Sequence, residues 1–94
     1  MSEEKRTVVH IDPTEETGRY ANAAAITHSR NEFILDFLML LPGDRRKVVS
    51  RLILSPTQTK QLAAVLQENL ARYESTHGKI SVSPAEPEFT GRVN

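Results

Sequence analysis

The side chains in this sequence that could bind a metal ion are few and widely spaced. The histidines are His10, His28 and His77, and there is no cysteine. A preformed zinc site draws its ligands from His, Cys and acidic side chains at short characteristic spacings, and no H-x-x-x-H or C-x-x-C pair occurs. The sequence therefore predicts no metal site and no cofactor. We expect His77 to act as a positive partner for the carboxyl end of a helix.

Residues for nucleophilic or acid–base catalysis are equally sparse. Ser29, His28 and Asp36 could be written as a triad, but the G-x-S-x-G elbow is absent and adjacent strand residues point to opposite faces. Glu32 and Asp36 would share a strand face, yet Glu32 falls at a turn and Asp36 is expected to pair with a base. A glycine-rich phosphate loop is missing as well. We therefore predict a protein that is not an enzyme.

A basic loop, Arg45-Arg46-Lys47, is the most concentrated charge feature. It could be a hairpin tip that contacts the phosphates of DNA or RNA. It could also be a solvated turn whose charges keep a sheet edge soluble. We favour the solvated turn, because the 12 basic and 12 acidic residues give a formal net charge of zero and no stacking aromatic lies nearby. Nucleic acid is accordingly not the expected partner.

An amphipathic helix over residues 56–77 is the clearest of the elements that position these side chains. Ser55 and Gln58 form a capping box, Pro56 suits the first helical position, and Gly78 suits the stop. The helix has an apolar stripe, because its large apolar residues recur at three- and four-residue steps. These residues are Leu62, Val65, Leu66, Leu70 and Tyr73.

A β-hairpin is predicted from residues 32–41 and 47–54, around the turn at 42–44. Residues 32–41 could instead form a helix, because Ser29 and Glu32 form a second capping box. A four-residue loop between Leu41 and Arg46 gives a register that favours strands. It pairs Phe33 with Leu54, Leu35 with Leu52, Phe37 with Ser50 and Met39 with Val48 on one face, and Ile34 with Ile53, Asp36 with Arg51 and Leu38 with Val49 on the other. The first face is almost wholly apolar, and the second sets an acid against a base.

The predicted organisation is a single β-β-β-α domain over residues 19–78, flanked by two flexible segments. Residues 20–28 supply the first strand, although their alanines also favour a helix. Residues 1–18 predict an acidic arm with at most one short strand, and residues 79–94 predict a proline-containing tail. The fold class is α+β, a sheet of three or four antiparallel strands with the long helix packed on one face.

Several separated pieces of the chain carry a family resemblance. They are Tyr20-Ala-Asn22, His28-Ser29, residues 32–37, residues 48–56 and residues 66–78. In this order they resemble the prokaryotic family catalogued as domain of unknown function 3467, over about residues 19–80. The resemblance implies no activity or ligand, because none is assigned to that family. The element order is also similar to the protomer of the SecB export chaperone, as an analogy of architecture.

The sheet face that the helix cannot cover is the predicted interaction surface. It holds Ile34, Asp36, Leu38, Val49, Arg51 and Ile53. Monomers seldom expose a contiguous apolar patch of this kind, so we expect a partner, most simply a second copy of the chain. The arm at residues 8–11, or Phe89 in the tail, could cover this face instead.

The predicted function is therefore that of a homo-oligomeric protein-interaction module. The alternatives are a SecB-like holdase that binds unfolded chains, and a nucleic-acid-associated protein that uses Arg45, Arg46 and Lys47. We expect a cytoplasmic location, because the sequence has no disulfide framework and no export leader. Its longest uncharged apolar run, residues 37–41, is far below the ~20 residues of a membrane span, so no membrane partner is expected.

Overall fold

The protein has an α+β fold in which three antiparallel strands are followed by a long helix, as the sequence predicts. The structure is a computed structural model, and it describes residues 7–82 and 89–91. Its elements in chain order are a 3-10 turn Pro13–Glu15, β1 Ala23–His28, β2 Phe33–Leu41, β3 Arg45–Leu54, α1 Pro56–His77 and β4 Phe89–Gly91. The strands form a four-stranded sheet in the order β3-β2-β1-β4.

Helix α1 has the bounds that its terminal residues predict. The Ser55 hydroxyl accepts a hydrogen bond from the Gln58 N–H at 3.1 Å, and the Gln58 side chain accepts one from the Ser55 N–H at 3.4 Å. At the other end Gly78 takes a φ of 98°, and its N–H donates to the Glu74 carbonyl at 3.0 Å. A glycine fits there because residues with a Cβ seldom adopt a positive φ. The helix predicted over residues 56–77 is confirmed.

The hairpin register is confirmed over the half that is farther from the turn. Phe33 pairs with Leu54, Asp36 with Arg51 and Phe37 with Ser50, as predicted. Beyond Phe37 the register shifts by one residue at a β-bulge, so the predicted pairs of Leu38 with Val49 and Met39 with Val48 are wrong. Leu38 lies opposite Val48, and Met39 lies opposite Lys47.

The turn explains this shift, because it is one residue shorter than predicted. Leu41 pairs with Arg45, which leaves the three residues 42–44 in the loop. Gly43 and Asp44 both take positive φ angles, 76° and 60°, and glycine and aspartate are among the residues that tolerate this conformation. The shorter loop leaves one extra residue in β3. This residue is Val49, which forms the bulge and has no partner on β2.

The fourth strand comes from the other end of the chain than predicted. Residues 7–18 hold the short turn Pro13–Glu15 and no strand, so the optional short strand of the arm is not present among the described residues. The strand β4 lies instead in the segment predicted to be a flexible tail, and it pairs in parallel with β1, opposite residues 24–26. The other predictions for the arm and tail concern residues 1–6, 83–88 and 92–94, which lie outside the described residues.

The buried core is very small. Among residues 7–82, the buried apolar side chains are Ala23, Ala24 and Leu35, and none of them is completely shielded from solvent. Leu35 is the only large side chain of the three, with 5% of its surface exposed. Small domains bury a smaller fraction of their surface than larger ones, but a core of this size leaves most large apolar side chains in the described segment partly in water.

Candidate interaction surface

The sheet face without the helix, here called the open face, brings together the six residues that the sequence predicts for an interface. Ile34 lies opposite Ile53 and Asp36 opposite Arg51, while Leu38 lies opposite Val48 with the bulged Val49 next to it. Strand β1 continues this face with residues 23, 25 and 27, which pair with Leu38, Asp36 and Ile34. Four of the six residues are half-buried, and Arg51 and Ile53 are exposed.

An ion pair with two parallel hydrogen bonds occupies the centre of the open face. Arg51 Nε lies 2.6 Å from Asp36 Oδ1, and Arg51 Nη2 lies 2.9 Å from Asp36 Oδ2. The Asp36 side chain is 18% exposed and that of Arg51 is 59% exposed. The hydrogen bonds from Arg51 hold the pKa of Asp36 below its ordinary value, against a smaller opposing effect of burial. In turn, Asp36 raises the pKa of Arg51.

We expect the stabilising effect of Asp36 to depend on pH in the acid range. Because folding lowers its pKa, its contribution is fully present above the ordinary carboxyl pKa and is lost as pH falls through the lower folded value. The difference in unfolding free energy between the natural chain and Asp36→Asn should therefore shrink below about pH 4. Urea unfolding at neutral pH and at a series of acid pH values measures it.

Arg51→Gln is the matched variant for this experiment, because it removes the donor and leaves the acid in place. In the Arg51→Gln background, the effect of Asp36→Asn on the unfolding free energy should lose most of its dependence on pH. An effect of Asp36→Asn that stays constant with pH in the natural chain, or a pH dependence that survives in the Arg51→Gln background, would contradict the assignment.

The basic residues of the hairpin do not share a face. Arg45 and Lys47 lie opposite Leu41 and Met39, whereas Arg46 lies opposite Leu40. Since successive residues of a strand point to opposite faces, Arg46 projects away from the other two. All three are exposed. The Arg45 Nε donates to the Pro42 carbonyl at 3.4 Å, so one of these side chains folds back on its own turn.

The histidines near β1 and α1 lie against aromatic rings. His28 stacks on Phe33 with ring centres 5.0 Å apart, and His77 lies 4.7 Å from the ring of Tyr73. The Ser29 N–H donates to the Glu32 carbonyl in the turn between β1 and β2, and Asp36 is held by Arg51. In the part of the chain that the structure describes, no group of three or more His, Asp or Glu side chains could hold a metal ion.

The other face of the sheet carries an apolar surface that the sequence does not predict to be open. Helix α1 lies over this face, but the two elements do not close on each other. Leu62, in the middle of the contact, remains 37% exposed, and Leu52 on β3 is 51% exposed. Val65, Leu66, Leu70 and Tyr73 along the helix stripe are also about half exposed. The helix therefore covers this face while Leu52 and the apolar stripe of α1 remain partly in contact with water.

Two adjoining grooves separate α1 from the sheet, one on each side of Leu62. The edge groove, about 470 Å³, lies toward the edge strand β3. Its lining consists of Leu35, Phe37, Leu52, Leu54, Gln58, Gln61, Leu62 and Val65. The inner groove, about 260 Å³, lies toward β1 and is lined by Ala24, Ile26, Leu35, Phe37, Thr59, Leu62, Ala63 and Leu66. Both linings are free of charged side chains.

The second half of α1 has no strand beneath it in these grooves. The helix residues that line them with the sheet end at Leu66, whereas α1 continues to His77. Residues 67–77, here called the overhang, contact the chain that follows instead. Ile80 and Val82 line a groove of about 310 Å³ with Leu70, and the Ile80 N–H donates to a carboxylate oxygen of Glu74 at 2.9 Å.

The length of the predicted helix does not by itself indicate an overhang. A helix of 22 residues is about 33 Å long, and the 10-residue strand β3 beside it spans about the same length. The overhang depends on where the helix lies along the sheet, which the structure shows and the pattern of apolar residues does not.

Comparison with known proteins places the chain in a family without adding an activity. A family model described as "Protein of unknown function (DUF3467)" matches residues 1–82. Neither the curated proteins nor the solved structures contain a significant match to the chain. Within the described residues, no helix is long and apolar enough to cross a membrane.

Proposed function

We propose that this chain, which belongs to the family of unknown function DUF3467, is a non-enzymatic interaction module that assembles with copies of itself. The observation that supports this proposal most strongly is the small core. With Leu35 as the only large buried side chain among residues 7–82, the monomer leaves apolar surface on both sides of its sheet in water. Association with a second copy would remove that surface from water.

The distribution of charge agrees with self-association. The chain has a formal net charge of zero, so two copies do not repel each other through their overall charge. The exposed apolar residues Ile53 on the open face and Leu52 on the helix-covered face come from the same edge strand. The acid on the open face is already neutralised by Arg51, so a partner could cover the pair without leaving an isolated charge.

The residues whose types could do chemistry also support a non-enzymatic role. Asp36 is engaged by a guanidinium group, and His28 and His77 lie on aromatic rings. The absence of cysteine fits a reducing compartment, and we propose the cytoplasm as the location.

Sedimentation velocity of the natural chain at micromolar concentration tests this proposal. We expect a particle of at least twice the monomer mass of 10.5 kDa. The variant Ala64→Glu is the matched control, since this exposed residue lies on the side of α1 away from Leu62, and it should keep the same mass. A strictly monomeric particle over the whole concentration range would overturn the proposal.

Two further measurements compare this function with its rivals. Suppression of the aggregation of an unfolded client at stoichiometric concentration would select the holdase. Binding of random duplex at low salt, lost in the Arg45→Glu, Arg46→Glu variant, would select a nucleic-acid role. We expect neither effect, since the three basic side chains are split between two faces and the apolar grooves are predicted to be filled by the chain's own copies.

A further inference from the structure

We propose that the overhang of α1 docks into the edge groove of a second copy, and that the second copy returns the same contact. This inference rests on the proposed self-association and identifies the two surfaces that are in contact in the dimer. The groove lies between α1 and the edge strand β3, with Leu52 and Val65 half exposed in its walls. The overhang carries Leu70 and Tyr73, which are half exposed on the same helix.

The chemistry of the groove fits an apolar stripe of a helix. Its lining is made of aliphatic and aromatic side chains with two glutamines, and it holds no charged group. Leu62 indicates the mode of contact, because this leucine of α1 lines both grooves together with Leu35 and Phe37. A second helix laid beside the first would repeat this contact along Leu52 and Val65.

The overhang is suited to be that second helix. Leu70 and Tyr73 follow Leu66 at distances of four and seven residues, so they continue the apolar stripe beyond the sheet. The neighbouring charges do not oppose burial of the stripe, because Arg72 pairs with Glu68 on the same helix at 3.4 Å. Since side chains are arranged at about 100° per residue, Ala64 lies on the side of the helix away from Leu62.

Symmetry and area favour a second copy over an unrelated partner. Each copy has one overhang and one edge groove, so a two-fold arrangement fills both grooves and leaves no free end for further growth. The exposed parts of the groove and overhang residues amount to roughly 500 Å² per copy, more than half of the ~800 Å² per partner of a stable interface. These residues are Leu52, Leu62, Val65, Leu70 and Tyr73. Gln58 and Gln61 line the same groove and add to this area.

Disulfide trapping tests the proposal directly, because the natural chain has no cysteine and each introduced thiol is unique. Leu52→Cys places a thiol in the groove, and Tyr73→Cys places one on the overhang. Each variant chain has a single cysteine, so every disulfide that forms joins two chains. The two single variants are mixed and oxidised briefly.

The mixture should yield a linked dimer several-fold more abundantly than either variant alone. The matched control is Leu52→Cys mixed with Ala64→Cys, which has its thiol on the far side of the helix and should give no enrichment. A mixture of Leu52→Cys and Tyr73→Cys that links no more than this control overturns the docking geometry. The proposed function then survives if sedimentation still gives a dimer, and falls with it if the natural chain is monomeric.

A second variant keeps the test independent of the thiols. Tyr73→Glu changes an exposed overhang residue that lines none of the described grooves, so it should leave the fold intact. We expect its dimer dissociation constant in sedimentation to rise at least about tenfold, which corresponds to about 1.4 kcal/mol. Ala64→Glu should leave the constant unchanged. Equal constants for Tyr73→Glu and the natural chain would overturn the inference.

Discussion

Leu35→Ala is expected to lower the free energy of unfolding by about 2–5 kcal/mol, the range for truncating a buried leucine. Leu35 is 5% exposed and lines both grooves beneath α1, so its loss would leave a cavity between sheet and helix. Natural domains of ordinary stability unfold with about 5–15 kcal/mol, and a small domain lies near the lower end. The variant should therefore be partly unfolded at 37 °C. Urea unfolding followed by circular dichroism measures the change.

Leu52→Ala is the matched control, because Leu52 lies directly opposite Leu35 on the same face. Half of its surface is already in water, so its truncation should cost about half as much as that of Leu35. Both variants are compared at a protein concentration below that at which copies associate, because association adds its own stability. Equal effects of the two variants would show that the sheet face is buried more evenly than the structure indicates.

The parts of the fold that short-range rules determine could be predicted from the sequence. The capping box at Ser55 and the glycine at position 78 predict both ends of α1, because each satisfies backbone groups within a few residues. The predicted pairing of Asp36 with Arg51 is confirmed because the acid and the base share a face and because the bulge offsets the shorter turn.

The parts that depend on compensation between distant residues could not be predicted. The shorter turn shifts the pairing of β2 with β3 by one residue, and the bulge shifts it back. The partners of Phe33 and Phe37 are therefore the same with or without these two changes. Strand β4 has three residues and pairs with β1, more than 60 positions earlier in the chain, and no periodicity marks so short a segment.

The candidate interaction surface likewise has features that the sequence predicts and features that it does not. Composition and register indicate which residues are apolar and which face each occupies, and on that basis the open face is the expected interface. How closely a helix approaches a sheet depends on tilt and side-chain packing, which the pattern of apolar residues does not encode. The partial exposure of Leu52 and Leu62 is therefore seen only in the structure.

Asn22→Ala is expected to lower the free energy of unfolding by about 1–3 kcal/mol, the cost of leaving a partly buried backbone donor unsatisfied. Asn22 precedes β1, and its N–H donates to the Leu38 carbonyl at 3.0 Å. Its side-chain oxygen accepts the Leu40 N–H at 2.8 Å, so it takes the place of a backbone acceptor where the ladder between β1 and β2 ends. Alanine keeps the first bond and loses the second.

Asn22→Asp tests whether the side-chain oxygen, and not the amide nitrogen, is the group that stabilises the strand end. The aspartate keeps an acceptor oxygen at the same position, so it should recover most of the stability that alanine loses. Amide hydrogen exchange gives a local measure: the Leu40 N–H should exchange at least about tenfold faster in Asn22→Ala than in Asn22→Asp. If the two variants unfold at the same urea concentration and exchange Leu40 at the same rate, the side-chain oxygen of residue 22 does not hold the end of the β1–β2 ladder.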